Sequence, residues 1–125
     1  MGSKSSQAPS ELLADVIING IQEKKGNDIL CLDLREIPNA VTDFFVICHG
    51  DSDRQVEAIA DSVIDITGEE LDDSPWHKEG FENKEWILLD YVTVVVHIFH
   101  KNVREFYNLE SLWADAKKTV VEHQK

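Results

Sequence analysis

Positive charge is what this chain has least of. Twelve Lys and Arg stand against 24 Asp and Glu in 125 residues, a formal net charge of −12. Docking onto a nucleic-acid backbone draws its affinity from Lys and Arg displacing counterions, so direct DNA binding is not expected and basic partners are favoured. Long apolar runs are also missing, and no segment approaches the ~20 residues a membrane helix needs. The opening MGSKSSQAPS lacks the apolar segment of a secretory signal. Its Met-Gly-x-x-x-Ser formally matches a myristoylation pattern, but so short a match reads better as part of a leader. Cysteine is scarce. Cys31 and Cys48 each sit inside an apolar strand-like run, where small buried hydrophobes are expected rather than a disulfide or a reactive pair. A cytoplasmic protein is the expectation.

What is present suits one compact domain, because 42% hydrophobic content over this length can bury a substantial core. Residues 1–9 read as a disordered leader. A helix is expected from Ser10, as N-cap, to about Lys25, with Leu13, Val16, Ile17, Gly20 and Ile21 facing inward and Gly26 as the stop. Asp28–Leu34 and Phe44–His49 read as strands, separated by a loop marked by Pro38 and Asn39. Ser52-Asp53-Arg54-Gln55 is a capping box, followed by the apolar stripe Val56, Ile59, Ala60, Val63 and Ile64. Gly68 is expected to end that helix, leaving Glu69, Glu70, Asp72 and Asp73 in a solvated loop. A short edge strand follows around Trp76–Lys78, then strands Trp86–Tyr91 and Val94–Phe99. His100–Tyr107 should be helical, with Asn108 capping another helical segment from Leu109. This order predicts an α/β fold, a mixed sheet of about five strands covered by helices.

The pair of long strands carries the most information. A two-residue turn at Val92-Thr93 would pair Tyr91 with Val94, Asp90 with Val95, Leu88 with His97 and Trp86 with Phe99. One face then reads Ile87, Leu89, Tyr91, Val94, Val96 and Ile98, an uninterrupted core face. The other reads Trp86, Leu88, Asp90, Val95, His97 and Phe99. That second face is either a partly covered surface whose polar groups bond within the fold or a partner surface with aromatic anchors. Leu109, Leu112, Trp113 and Ala116 form a helical stripe that packs on the sheet or presents a second anchor. Val and Thr are poor residues for a tight hairpin turn, so the register hangs on how the chain reverses there.

Catalytic patterns fail in detail. Nucleotidyl transfer needs a Gly-Ser or Gly-Gly loop plus strand acids at i and i+2 facing one Mg²⁺. Gly50-Asp51-Ser52 loosely resembles the loop, but Asp90 is followed by Val92, and Asp28 and Asp33 fall on opposite faces of their strand. His77, Glu79, His97 and His100 lack metal-ligand spacing. No catalytic residue, metal ligand or cofactor is expected, and the chain is not expected to be an enzyme.

Several segments, in order, carry a resemblance: Thr42-Asp43-Phe44-Phe45-Val46-Ile47-Cys48, Ser52-Asp53-Arg54-Gln55-Val56, and Trp76-His77 with Glu79-Gly80. They continue with Trp86-Ile87-Leu88-Leu89-Asp90-Tyr91, Val94-Val95-Val96-His97-Ile98-Phe99 and Arg104-Glu105-Phe106-Tyr107-Asn108-Leu109-Glu110-Ser111-Leu112-Trp113. This series resembles the ribosomal silencing factor (Iojap-like) family over residues 10–116, with 117–125 left as a C-terminal tail. The resemblance implies a domain related to the nucleotidyltransferase fold, often dimeric. It also implies a translational repressor that docks on large-subunit ribosomal protein fourteen and sterically blocks joining of the small subunit. A non-catalytic ribosome-assembly factor is the alternative. Carried over as partner-binding candidates are Trp86, Asp90, His97, Tyr107, Leu109, Glu110, Leu112 and Trp113. The family usually has Gly-Asp where this chain has Val92-Thr93.

Overall fold

The central strands are buried at nearly every position, and side chains pointing alternately to the two faces of a single sheet build two separate cores. The computed structural model describes residues 9–121, together with all side chains in that span except that of Glu110. The chain runs α1 (Ser10–Glu23), β1 (Asn27–Asp33), β2 (Phe44–Gly50), α2 (Asp53–Leu71), β3 (His77–Glu79), β4 (Trp86–Asp90), β5 (Val94–His100), α3 (Lys101–Tyr107), a single turn α4 (Leu109–Leu112) and β6 (Lys117–Val120). The sheet order is β3-β4-β5-β2-β1-β6. β2 and β5 are parallel at its centre, and every other pair is antiparallel.

Both long helices lie on the same face. Leu13, Ile17 and Ile21 of α1 and Val56, Ile59 and Val63 of α2 pack with Val46, Ile87, Leu89, Val96 and Ile98 of the sheet. Gly20 lets the two helices touch: a Cβ there would stand 2.8 Å from the Ile66 side chain and 3.1 Å from the Val63 Cα. Ser62 uses that closeness to donate to the Gly20 carbonyl at 2.8 Å. On the opposite face, Leu32, Phe45, Ile47, Val95 and Phe99 are covered not by a long helix but by Leu34, Ile37, Leu109, Trp113 and Ala116. A sheet face closed by short segments leaves part of its aromatic surface open.

The register expected for the long hairpin is the one found, Trp86 opposite Phe99, Leu88 opposite His97 and Asp90 opposite Val95. The capping box also forms: the Gln55 amide N–H donates to Ser52 Oγ at 3.1 Å. Gln55 Oε1 accepts instead from the Asp51 N–H at 2.7 Å, and its Nε2 donates to the carbonyls of Lys24 and Lys25, tying α2 to the end of α1. Cys48 is buried and Cys31 partly so, both reduced. Desolvation, the leading cause, pushes the thiols up to about 12 and about 11 respectively, which keeps them protonated and unreactive.

Three expectations are corrected. The sheet has six strands rather than about five, because Lys117–Val120, assigned to the tail, pairs with β1. All four residues of β6 are exposed, so neither apolar alternation nor burial marks it in the sequence. Helix α2 does not stop at Gly68: it includes Glu69 and Glu70 and ends where Asp72 turns left-handed at φ 52°. The Asp72 and Asp73 N–H groups close it on the carbonyls of Gly68 and Thr67, the usual left-handed termination with Asp in the place of Gly. Ser10 is the first helical residue rather than the cap, a role taken by Pro9 with no side-chain hydrogen bond. Apart from Pro9, the expected leader lies outside the described residues, as do the last four residues of the expected tail.

Candidate docking face

His97 sits on the second sheet face at 4% exposure. Its Nδ1 accepts from the indole N–H of Trp86 at 3.1 Å. Indole is only a donor, so Nδ1 carries the lone pair and the proton resides on Nε2. That Nε2 is buried and has no hydrogen-bond partner among the described residues. Burial without a counter-charge drives the imidazole down to about 4, so it is neutral at cellular pH. Phe45 stands against the ring at 4.6 Å in a T-shaped contact, with Trp113 edge-on to Phe45 at 5.7 Å.

An aromatic stack continues outward from this buried pair. Trp86 stacks on Phe99 at 5.1 Å and meets Tyr107 at 4.6 Å, while Phe106 lies T-shaped on Tyr107 at 5.3 Å. The depth is graded: Phe99 is fully buried, Trp86 half-buried, and Phe106 is 82% exposed. Asn108 then turns left-handed at φ 48°, ending α3 and starting α4. The reversal sends Leu109 into the core, leaves Trp113 half-buried and puts Leu112 in solvent at 72% exposure. Phe106, Tyr107 and Leu112 are thus exposed apolar side chains on a frame fixed by Trp86, Phe99 and Trp113.

The reversal at the far end of the hairpin differs from any two-residue turn. The Thr93 N–H bonds to the Tyr91 carbonyl at 2.9 Å, an i to i+2 bond with Val92 at φ 76° between them. This is a γ-turn with a β-branched residue in the left-handed half of backbone space. Three contacts hold it. Asp90 Oδ1 accepts from the Val92 N–H at 2.8 Å, Thr42 Oγ1 donates to the Val92 carbonyl at 2.9 Å, and the Asp43 N–H donates to the Thr93 carbonyl at 3.0 Å. Val92 is largely exposed, so its replacement forfeits little burial. Val92→Gly is expected to stabilise the fold by about 1 kcal/mol, relief of 1–2 kcal/mol of strain set against the entropy glycine adds to the unfolded chain. A urea midpoint that falls in this variant, with an unchanged slope, would contradict the strain.

The structure therefore sorts the eight sequence candidates by depth. Tyr107 and Leu112 face solvent, Trp86, Asp90 and Trp113 are half-buried, and His97 and Leu109 are buried. Asp90 already serves its own turn, and the side chain of Glu110 lies outside those described. Phe106 is an exposed aromatic that the stripe analysis passed over, although it stands three residues before Leu109 and seven before Trp113; the left-handed step at Asn108 breaks that stripe and leaves Phe106 outside the core. Its place beside Tyr107 at the end of α3 was the available signal.

The match that decides the family spans the aromatic face and both cores. Residues 6–125 fit the family model described as ribosomal silencing factor during starvation. The chain belongs to the ribosomal silencing factor family. It is 48% identical over 94 residues to the Bacillus subtilis ribosomal silencing factor, covering 75% of this chain and 78% of that one. With the Halalkalibacterium halodurans factor it shares 39% over 110 residues, 88% of this chain and 92% of the other. A solved structure from Chromobacterium violaceum superposes with a TM-score of 0.79 at 33% identity, over 94% of this chain and 97% of that one. A more distant relative, 27% identical over 79% of this chain and 44% of its own length, is the mouse protein named mitochondrial assembly of ribosomal large subunit protein 1. As a silencing factor the chain acts on ribosome assembly or translation. Among the described residues no helix is long and apolar enough to cross a membrane.

Proposed function

We propose that this silencing factor docks through its aromatic face on the large ribosomal subunit, at ribosomal protein fourteen, and blocks joining of the small subunit by occupancy. The observation that carries the reading is the exposed pair Phe106 and Tyr107 stacked onto Trp86, with Leu112 exposed a few residues further along the chain beside the packed Trp113. Aromatic anchors on a rigid base are what interface hot spots are made of. The net charge of −12 suits a basic ribosomal protein and accelerates encounter with it. No bond need be made or broken, so the activity is placement and affinity, exerted in the cytoplasm. A second copy covering the same apolar patch would hide it, so self-association and docking are expected to compete.

Sedimentation of the purified protein with separated subunits through a sucrose gradient tests this. Comigration with large subunits and fewer joined ribosomes is the expected result. Phe106→Ser and Leu112→Asp alter exposed side chains, so folding should be unchanged within about 0.5 kcal/mol while affinity falls about tenfold or more. Failure to comigrate at low salt, or full binding by both variants, overturns the reading. The mouse relative's name favours a second reading, a role in assembling the large subunit. Sedimentation with immature large subunits, without an effect on joining, would select it.

A further inference from the structure

Along α3 lies an open cavity of about 610 Å³ whose lining residues are all polar or charged. It opens where the carboxyl ends of the parallel strands β2 and β5 meet, between His49 and the start of α3. Open α/β sheets characteristically bind ligands at the carboxyl ends of such parallel strands. The volume falls within the range of small-molecule sites.

Four charged groups line the cavity. Lys101 and Arg104 supply two cations in a chain that has few, and Asp28 and Glu105 supply two carboxylates. Arg104 is fixed in place: its Nη1 lies 2.9 Å from His49 Nδ1 and 3.4 Å from the Asn27 carbonyl. A guanidinium donates, so the imidazole meets it as a neutral acceptor at Nδ1. Burial, and then the Arg104 charge, lower the His49 pKa, with Lys101 acting in the same sense. The carboxylates of Asp28 and Asp51 act on His49 in the opposite sense, so charges of both signs meet at this end of the sheet.

Two left-handed residues lie at the same place. Asp28 takes φ 49° beside an irregularity in the β1–β2 pairing between Asn27 and Leu30, and Asn108 takes φ 48°. Two of the cavity's lining residues are so placed.

We propose that this cavity binds a phosphate ester of a small polyol, with nucleoside monophosphates as the class that fills it. Lys101 and Arg104 take the phosphate. Asp28 and Glu105 accept from sugar hydroxyls, as carboxylates do for ribose in dinucleotide sites. The amides of Asn102 and Asn108 are left for the base.

Amide chemical-shift mapping on the full chain, titrated separately with AMP, adenosine and inorganic phosphate, tests the assignment. The expected result is saturable shifts around His49 and Lys101, with AMP at least about tenfold tighter than either fragment. Lys101→Ala should weaken AMP about tenfold and leave adenosine unchanged. Asp28→Asn, which tolerates the same left-handed backbone, should weaken AMP and adenosine and spare phosphate. No saturable shift with AMP up to about 5 mM overturns the proposal. So do shifts centred elsewhere, and so does equal affinity for phosphate and AMP, which would reduce the site to an anion patch. All of this is read on the free protein, so the result stands apart from ribosome docking.

Discussion

Trp86→Ala is expected to destabilise the domain by about 3 kcal/mol and to abolish the proposed docking on the large subunit. The side chain is only half-buried, yet three structural features converge on it. Its ring stacks on Phe99 and supports Tyr107. Its indole N–H gives His97 the imidazole's hydrogen bond, at 3.1 Å. Truncation would leave both ring nitrogens of a buried histidine unsatisfied, since Nε2 already lacks a partner among the described residues. A loss of this size lowers the melting temperature by roughly 10 °C in a domain of this length. Trp86→Phe separates the two effects. It keeps an aromatic ring in the stack, loses the N–H and part of the indole's surface, and should cost about 2 kcal/mol while retaining most of the docking affinity. Thermal unfolding of the two variants beside subunit sedimentation checks both halves. An alanine variant that melts with the parent would remove Trp86 as the keystone of this face.

The second large effect is acid lability through His97. Its folded-state pKa is pushed down to about 4 by burial, against an ordinary value of 6.5. Below the ordinary value the unfolded chain takes up a proton that the folded protein refuses, so the unfolded state gains with falling pH. The stabilisation is fully present above about pH 6.5 and lost progressively as the pH falls toward about 4, a total of roughly 3 kcal/mol. Protonation also removes the Nδ1 lone pair that holds the Trp86 N–H, so the docking face loosens as the fold weakens. His97→Gln stays neutral and should shrink the stability difference between about pH 7 and pH 5 by about 2 kcal/mol. Some acid loss will remain in the variant. His49, lowered by burial and then by Arg104, still favours the folded state at higher pH within this range, whereas Asp33, lowered by its hydrogen bond from Arg35, adds its loss only as the pH falls below its ordinary 3.8. Denaturant melts of parent and variant across this range give the answer, and identical pH profiles would show that His97 is not the titrating group.

Local pattern made much of the architecture legible before any coordinates. The strands β4 and β5 were readable because apolar side chains recur at every second position on the buried face, and a one-residue slip would turn Ile87, Leu89, Val96 and Ile98 outward. The capping box placed α2 because Ser and Gln at that spacing satisfy amides no other residues there can reach. The series of family segments likewise fixed what kind of protein this is. What the sequence left undecided was set by contacts distant along the chain. β6 exists only because β1 offers it an edge, and its exposed Lys-Lys-Thr-Val carries no periodic signal of its own. Val92 holds a left-handed turn that its own preferences oppose, because Thr42 and Asp43 bind the turn's carbonyls from across the sheet. Depth is the clearest case. Nothing in the order Trp86, His97, Tyr107, Leu109, Leu112 says which side chain meets solvent. The left-handed step at Asn108 sends Leu109 inward and Leu112 outward, and stacking on Phe99 decides how far Trp86 emerges. Composition and periodicity determined the elements and the family, whereas the packing of short segments over one sheet face decided which of its aromatics a partner can touch.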